Sequence, residues 1–233
     1  MPIQEPRRDD LSLVHLVRQP SRPAGGPAPL LLLLHGVGSN EQDLFGLAPH
    51  LDERLVVVSA RAPLTLGPGS FGWFPVGFTP QGPVHDQAAA ERSRALLVGF
   101  LDELVAAYRA DPARVYVGGF SQGAIMSLAV GLTRPEKVAG VLAMSGRLLL
   151  EALADRAPDE ALRGLPILLQ HGVFDQILPI QHGQAARAAL ESLPVDIEYR
   201  EYPIGHEVSQ QSLADAAAWV CGRLDAPPPD RHR

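Results

Sequence analysis

The chain has 233 residues, 46% hydrophobic and 20% charged, with a formal net charge of −6; this is an ordinary soluble composition, large enough for a core without staples. Its basic residues are scattered arginines and a single lysine, Lys137, which argues against a nucleic-acid surface, and no run approaches the ~18 apolar residues of a membrane span. The lone Cys221 cannot close an internal disulfide, so nothing calls for an oxidising compartment.

In chain order, the opening MPIQEPRRDD is polar. Its Arg7-Arg8 pair is followed by Asp9-Asp10 and by no real apolar region, so an export signal is set aside and a cytoplasmic location is expected. Residues 11–18 alternate as an edge or half-buried strand does, and a proline- and glycine-rich connector follows. LLLLL, residues 30–34, is a continuous apolar run closed by His35-Gly36, the signature of a strand buried on both faces. The pattern recurs at 55–59, 115–119, 138–145, 166–170 and 195–202. Helical periodicity fills 85–109, stopped by Asp111-Pro112, then 122–132, 181–193 and 209–224. Strands alternating with helices predict an α/β fold with a mostly parallel central sheet and helices on both faces. No linker divides it, so a single domain is expected over 1–225, with 226–233 as a disordered tail.

In open parallel sheets, sites form at the carboxyl ends of strands. After the run at 115–119 comes GFSQG, residues 119–123, a match to G-x-S-x-G of which chance supplies about 0.1 in such a composition. An apolar strand leads in and a helical pattern follows without a spacer, as a nucleophile elbow requires. The following helix would aim its partial positive charge where an oxyanion forms. The competing reading makes Ser121 a helix cap after a buried strand. After residues 30–34 comes HGVGSN, whose glycines let the backbone approach a ligand. Acyl transfer needs two N–H donors, one after the nucleophile and one from an early loop, and Gln122 and Val37 are the candidates. HGVFDQILP follows the run at 166–170 and PIGHEVS the run at 195–202. The order Ser121, Asp175, His206 is that of α/β-hydrolases and of neither common serine protease fold.

Other constellations fail. GPGSFG, residues 67–72, fits G-x-G-x-x-G, but no strand is read directly into it and WFPVGF behind it is not a helix. His206-Glu207 lacks a second histidine at zinc-helix spacing, and no metal site is expected.

Taken together, LLLLHGVGSN, GGFSQGAIMSLAV, HGVFDQILP and YPIGHEVSQQSLADAAAWV, with AMSGRL, resemble the phospholipase/carboxylesterase family of α/β-hydrolases, which includes acyl-protein thioesterases. The resemblance runs over nearly the whole chain. It implies a hydrolase without a large cap domain, acting on carboxylic esters or thioesters with no cofactor. Carried onto this sequence, it makes Ser121, Asp175 and His206 a catalytic triad and the amides of Val37 and Gln122 an oxyanion hole. Where many members carry Trp-Phe-Asp or Trp-Tyr-Asp, this chain has Trp73-Phe74-Pro75. Trp73 and Phe74 are expected to wall an acyl pocket, against the alternative that they pack over the core.

The expected chemistry is a two-step acyl transfer through an acyl-enzyme. An amidase or peptidase with the same triad, or a non-catalytic binding protein on a hydrolase scaffold, are the rival readings. The expected partner is a small-molecule ester or thioester, with no nucleic acid and no stable membrane insertion; a homodimer is compatible with the sequence.

Overall fold

Five consecutive leucines can all be buried only when both faces of their strand are covered, and the architecture supplies that cover. The computed structural model describes residues 10–22, 25–79 and 82–226, without the side chains of 78–79 and 82–84. All but the first residue of the expected tail at 226–233, and the first nine residues of the amino terminus, lie outside the described residues.

In chain order the elements are β1 (His15–Arg18), β2 (Ala28–Leu34), α1 (Glu41–Phe45) and β3 (Val56–Ala60). Two hairpins follow, β4 (Leu64–Gly67) with β5 (Ser70–Gly72) and β6 (Val76–Thr79) with β7 (Gly82–His85). Next come α2 (Gln87–Tyr108), β8 (Ala110–Phe120), α3 (Gln122–Thr133), β9 (Gly140–Met144), α4 (Leu150–Ala154) and α5 (Asp159–Leu162). The chain closes with β10 (Pro166–Gly172), α6 (Gln181–Glu191), β11 (Asp196–Tyr202) and α7 (Gln210–Asp225).

Seven strands form one sheet in the order β1-β3-β2-β8-β9-β10-β11. Only β1 runs antiparallel, pairing His15 with Ala60 at the edge; the other neighbours are parallel. Leu32 sits opposite Val58 on one side and Val117 on the other. Leu30, Leu32 and Leu34 enter the core shared with α2, α3 and α6, while Leu31 and Leu33 enter the second core under α1 and α7. The pleat sends alternate side chains to opposite faces, so a strand with two apolar faces loses the polar alternation. Burying each such leucine contributes about 1.5–3 kcal/mol.

The helix ends follow local chemistry. Asp86 caps α2 by accepting from the Ala89 N–H at 2.9 Å, and Ser209 and Ser212 form a capping box at α7. At the other end of α2, Arg109 takes φ 51°, and the chain turns into β8. Among the described residues the connections between sheet strands hold the crossover helices, short helices and two hairpins, with nothing of the size of a cap. No described helix is long and apolar enough to cross a membrane.

All seven strands of the sheet and all four long helices lie where periodicity places them. The short α1, α4 and α5 and both hairpins escape it. One reading is corrected: β4 does run into GPGSFG, which forms the turn and second strand of a hairpin, with no helix behind it for a dinucleotide.

Candidate active site

Four strands end at one edge of the sheet and carry the loops that matter. β8 ends at Phe120, and Ser121 takes φ 54° and ψ −116° before α3 starts at Gln122. A non-glycine residue there costs about 1–3 kcal/mol and persists only when its surroundings over-determine it. Here they do: the Ser121 N–H donates to the Met144 carbonyl at 2.9 Å, and its own carbonyl accepts from Ile125 N–H at 3.1 Å. A Cβ on Gly119 would stand 2.4 Å from the Gly123 backbone, and one on Gly123 only 1.8 Å from the Leu34 carbonyl oxygen. Helix α3 can pack onto β2 at the elbow only without those side chains.

Ser121 occupies the N-cap position of α3, but its hydroxyl makes no capping bond. The Ser121 Oγ instead lies 2.9 Å from His206 Nε2, and His206 Nδ1 lies 2.7 Å from Asp175 Oδ2. The Phe120 ring packs on the imidazole with centroids 4.7 Å apart.

Asp175 is aimed by its own loop. Its Oδ1 accepts from the N–H groups of Ile177 at 2.9 Å and Leu178 at 2.8 Å, which leaves Oδ2 for His206. The carboxylate is buried. The loop after β10 is laced to the loop after β11: Val173 N–H donates to Tyr202 O and Phe174 N–H to Ile204 O, at 2.8 and 3.0 Å. A Cβ on Gly172 would come within 2.3 Å of the Gly205 carbonyl oxygen.

Sequence reasoning did not single out His171. It is buried, donates from Nε2 to the Leu178 carbonyl at 2.7 Å, and stands 3.5 Å from Asp175 Oδ2. Gly183 of α6 packs against its ring, where a Cβ would lie 2.7 Å from Nδ1. The only available signal was its place in HGVFD at a strand end.

The 35–40 loop is held by hydrogen bonds. His35 donates from Nδ1 to the Gly36 carbonyl at 2.7 Å and accepts the Ala62 N–H at Nε2 at 3.0 Å. Burial pushes its pKa below the usual histidine value, against the fields of Asp43 and Glu41. Gly38 N–H donates to Phe71 O and Phe71 N–H to Ser39 O, at 2.7 and 2.8 Å, and Trp73 Nε1 donates to the His35 carbonyl at 2.9 Å. Glu41 and Arg61 pair at the loop's flank, with the guanidinium 4.6 Å over the Phe71 ring. Burial is the largest single influence on the Glu41 carboxyl and would raise it; the hydrogen bonds from Arg61, a backbone hydrogen bond and the Arg61 charge together outweigh it and hold the pKa low.

Val37 thus sits between two anchored neighbours. Neither its N–H nor that of Gln122 donates to a protein acceptor among the described residues. The Gln122 side chain forms a second buried link: Oε1 accepts Trp73 N–H at 2.7 Å and Nε2 donates to Phe74 O at 2.8 Å.

Trp73 and Phe74 are each 1% exposed and belong to the main core. The backbone of this pair faces the elbow through Gln122, while the rings pack over the core. Exposed apolar side chains do occur around the site: Val37 of the 35–40 loop and Leu66 of β4, both beside Gly72, and Phe174 and Ile177, which flank Asp175.

The phospholipase/carboxylesterase family profile matches residues 17–221. The chain belongs to the phospholipase/carboxylesterase family. Among its relatives, acyl-protein thioesterase 1 of Gibberella zeae is 38% identical over 120 residues, half of each chain. A probable carboxylesterase, SOBER1-like, of Arabidopsis thaliana is 27% identical over 208 residues, 84% of this chain and 79% of that protein. The solved structure of esterase PE8 superposes with a TM-score of 0.79 at 29% identity, covering 92% of this chain and 100% of that one. The fold is therefore the α/β-hydrolase fold, and the family is one of hydrolases.

Proposed function

We propose that this member of the family is a carboxylic ester hydrolase, with thioesters in its scope, working through Ser121, His206 and Asp175. The observation that carries the reading is the unbroken relay from Ser121 Oγ through His206 to Asp175, at 2.9 and 2.7 Å, on a serine held at φ 54°. His206 Nδ1–H donates to the Asp175 carboxylate, which leaves Nε2 to take the hydroxyl proton as Oγ attacks the ester carbonyl. The same imidazolium returns that proton to the leaving alcohol or thiol, and a serine ester remains. Water, deprotonated by His206, then attacks that ester and releases the acid. The amides of Val37 and Gln122 stabilise the oxyanion of each tetrahedral intermediate, each contributing a factor of about 10²–10³.

The apolar side chains on the site's loops suit a hydrocarbon acyl or alcohol group, so the substrate is read as a small ester. The test is hydrolysis of p-nitrophenyl acyl esters and matched thioesters, with labelling by a fluorophosphonate. The reading requires turnover and a single label on Ser121. Full turnover by Ser121→Ala, or an unlabelled wild type, would overturn it.

A further inference from the structure

We propose that a cavity beside the elbow binds the anionic end of an aliphatic substrate, a carboxylate or phosphate on a hydrocarbon chain, with Arg147 as the receiving cation. The cavity measures about 410 Å³ and lies between the segment after β9 and helix α6. Its wall combines Arg147, His85, Glu151 and His182 with leucines of the α4 segment and alanines of α6. An aliphatic wall around a few polar groups is the make-up of a site for an amphiphile.

The cation is incompletely matched. Arg147 donates from Nη1 to the Leu148 carbonyl at 3.2 Å and from Nη2 to His85 Nδ1 at 3.3 Å, and among the described residues no carboxylate lies within ion-pair distance of it. Glu151 is the cavity's carboxylate, and its Oε1 stands 3.2 Å from His85 Nε2. Despite that proximity His85 Nε2 makes no hydrogen bond among the described residues, and because Nδ1 accepts from Arg147 it is Nε2 that carries the N–H, a donor an anion can take; Glu151 Oε2 is also unpartnered, but as an acceptor it gains nothing from an anion. Buried polar atoms are normally satisfied, so the Arg147 guanidinium and the His85 Nε2–H are the donors that a ligand's oxygens would complete. Burial lowers the Arg147 pKa, partly offset by the field of Glu151, and burial together with Arg147 and His171 lowers that of His182. A guanidinium remains charged after such a shift, and its planar fork matches carboxylate and phosphate oxygens.

The location joins the cavity to the site. Gly146, just before Arg147, packs on the first turn of α3, where its Cβ would lie 2.7 Å from the Ala124 Cβ. His182 stands at the start of α6, just past the Asp175 loop, and feels the charge of Asp175. Anion binding stands independently of the catalytic reading; its use in choosing substrates rests on that reading.

Calorimetry with octanoate, octyl phosphate and neutral octanol separates the two. Both anions should bind at least tenfold more tightly than octanol, with the tighter of the two naming the headgroup. Arg147→Met should lower anion affinity at least tenfold and Arg147→Lys by less. Leu150 is 78% exposed, so Leu150→Glu changes the rim's charge without threatening the fold and should weaken anions several-fold. Octanol binding as tightly as octanoate, or anion affinity unchanged in both Arg147→Met and Leu150→Glu, overturns the site. For turnover, the ratio of kcat/KM for mono-p-nitrophenyl adipate over p-nitrophenyl hexanoate should exceed one and fall at least tenfold in Arg147→Met. A ratio that Arg147→Met leaves in place overturns the substrate role. No hydrolysis of any ester, with anion binding intact, overturns the hydrolase reading and supports the anion site.

Discussion

The elbow and the 35–40 loop meet at Ser121, where a Cβ on Gly36 would stand 3.3 Å from the serine's own Cβ, but they are fixed by opposite means. The elbow is shaped by missing side chains, Gly119 and Gly123, which allow backbone to touch backbone. The loop is shaped by side chains that are present: His35 and Trp73 tie its backbone at defined distances, and Gln122 in turn fixes the Trp73-Phe74 backbone that holds it. A steric fit tolerates almost no change, because any added atom meets a carbonyl that cannot move aside. A hydrogen-bonded loop gives way by degrees, one bond at a time. Substitutions in the first should act as switches and in the second as graded losses.

Ser121→Ala separates chemistry from shape within the elbow and carries the largest expected effect. On the proposed mechanism ester turnover should fall by about 10⁴-fold or more, with residual rate coming from binding and the proposed oxyanion donors. Thermal unfolding should barely move, because the Ser121 hydroxyl caps nothing. A fall in kcat smaller than about tenfold would place the nucleophile elsewhere.

Gly123→Ala probes the switch itself. The new Cβ would be 1.8 Å from the Leu34 oxygen, and α3 has eleven buried residues with no room to retreat. Overpacking commonly costs about 1–3 kcal/mol, and a clash with main chain belongs at or beyond the upper end. At about 2–4 °C per kcal/mol for a chain of this size, calorimetry should record a loss of roughly 6–12 °C or no folded protein. Gly222, which has open space around its Cβ, is the control, and alanine there should leave Tm within a degree or two. A Gly123→Ala protein as stable as wild type would mean that the elbow is not sterically locked.

The same division explains what the sequence made legible. The sheet and long helices could be read because burial on two faces and 3.6-residue periodicity persist over many residues. Ser121, Asp175 and His206 could be picked out as candidates because each follows a strand end, and the structure brings their side chains within hydrogen-bond distance. Steric fits and cross-chain hydrogen bonds leave weaker marks. The Gln122 side chain reaches residues 49 and 48 positions away, and a contact at that separation has no local pattern. Trp73 and Phe74 looked like pocket walls because aromatics suit both pockets and cores, and only burial separates the two. His171 and Arg147 were visible as letters within motifs, but their surroundings come from α6, α4 and the second hairpin, elements too short or too distant to read.

Gln122→Met tests the graded side. It preserves volume but removes both links, leaving the Trp73 N–H and the Phe74 carbonyl buried without partners, each worth about 1–3 kcal/mol. The neighbouring amide loses its fixed position, so kcat should fall about ten- to hundred-fold while KM changes little. A loss as complete as that of Ser121→Ala would erase the distinction between the two regions.

The smallest effect is the most direct test of the loop's chemistry, since it depends on a single proton. His35 holds the loop as a neutral ring, with Nδ1–H donating and Nε2 accepting, so protonation at Nε2 breaks the Ala62 bond and places a charge where burial opposes it. Its folded pKa lies below the unfolded value of about 6.5. Between those two values the unfolded chain binds more protons, so the stability His35 contributes is complete above pH 6.5 and is lost progressively as pH falls towards the folded pKa. His182 has the same sign of shift, burial being again the main cause, so wild type alone cannot assign the effect. His35→Gln can: the amide has no titrating proton, and it should cost about 1–2 kcal/mol at pH 8 through imperfect replacement of the two bonds. In urea unfolding, wild type should lose more stability than His35→Gln between pH 8 and pH 5, bringing the two closer together in acid. Parallel losses in both proteins would assign the acid sensitivity to other groups, and the neutral His35 ring would no longer account for how the loop is held.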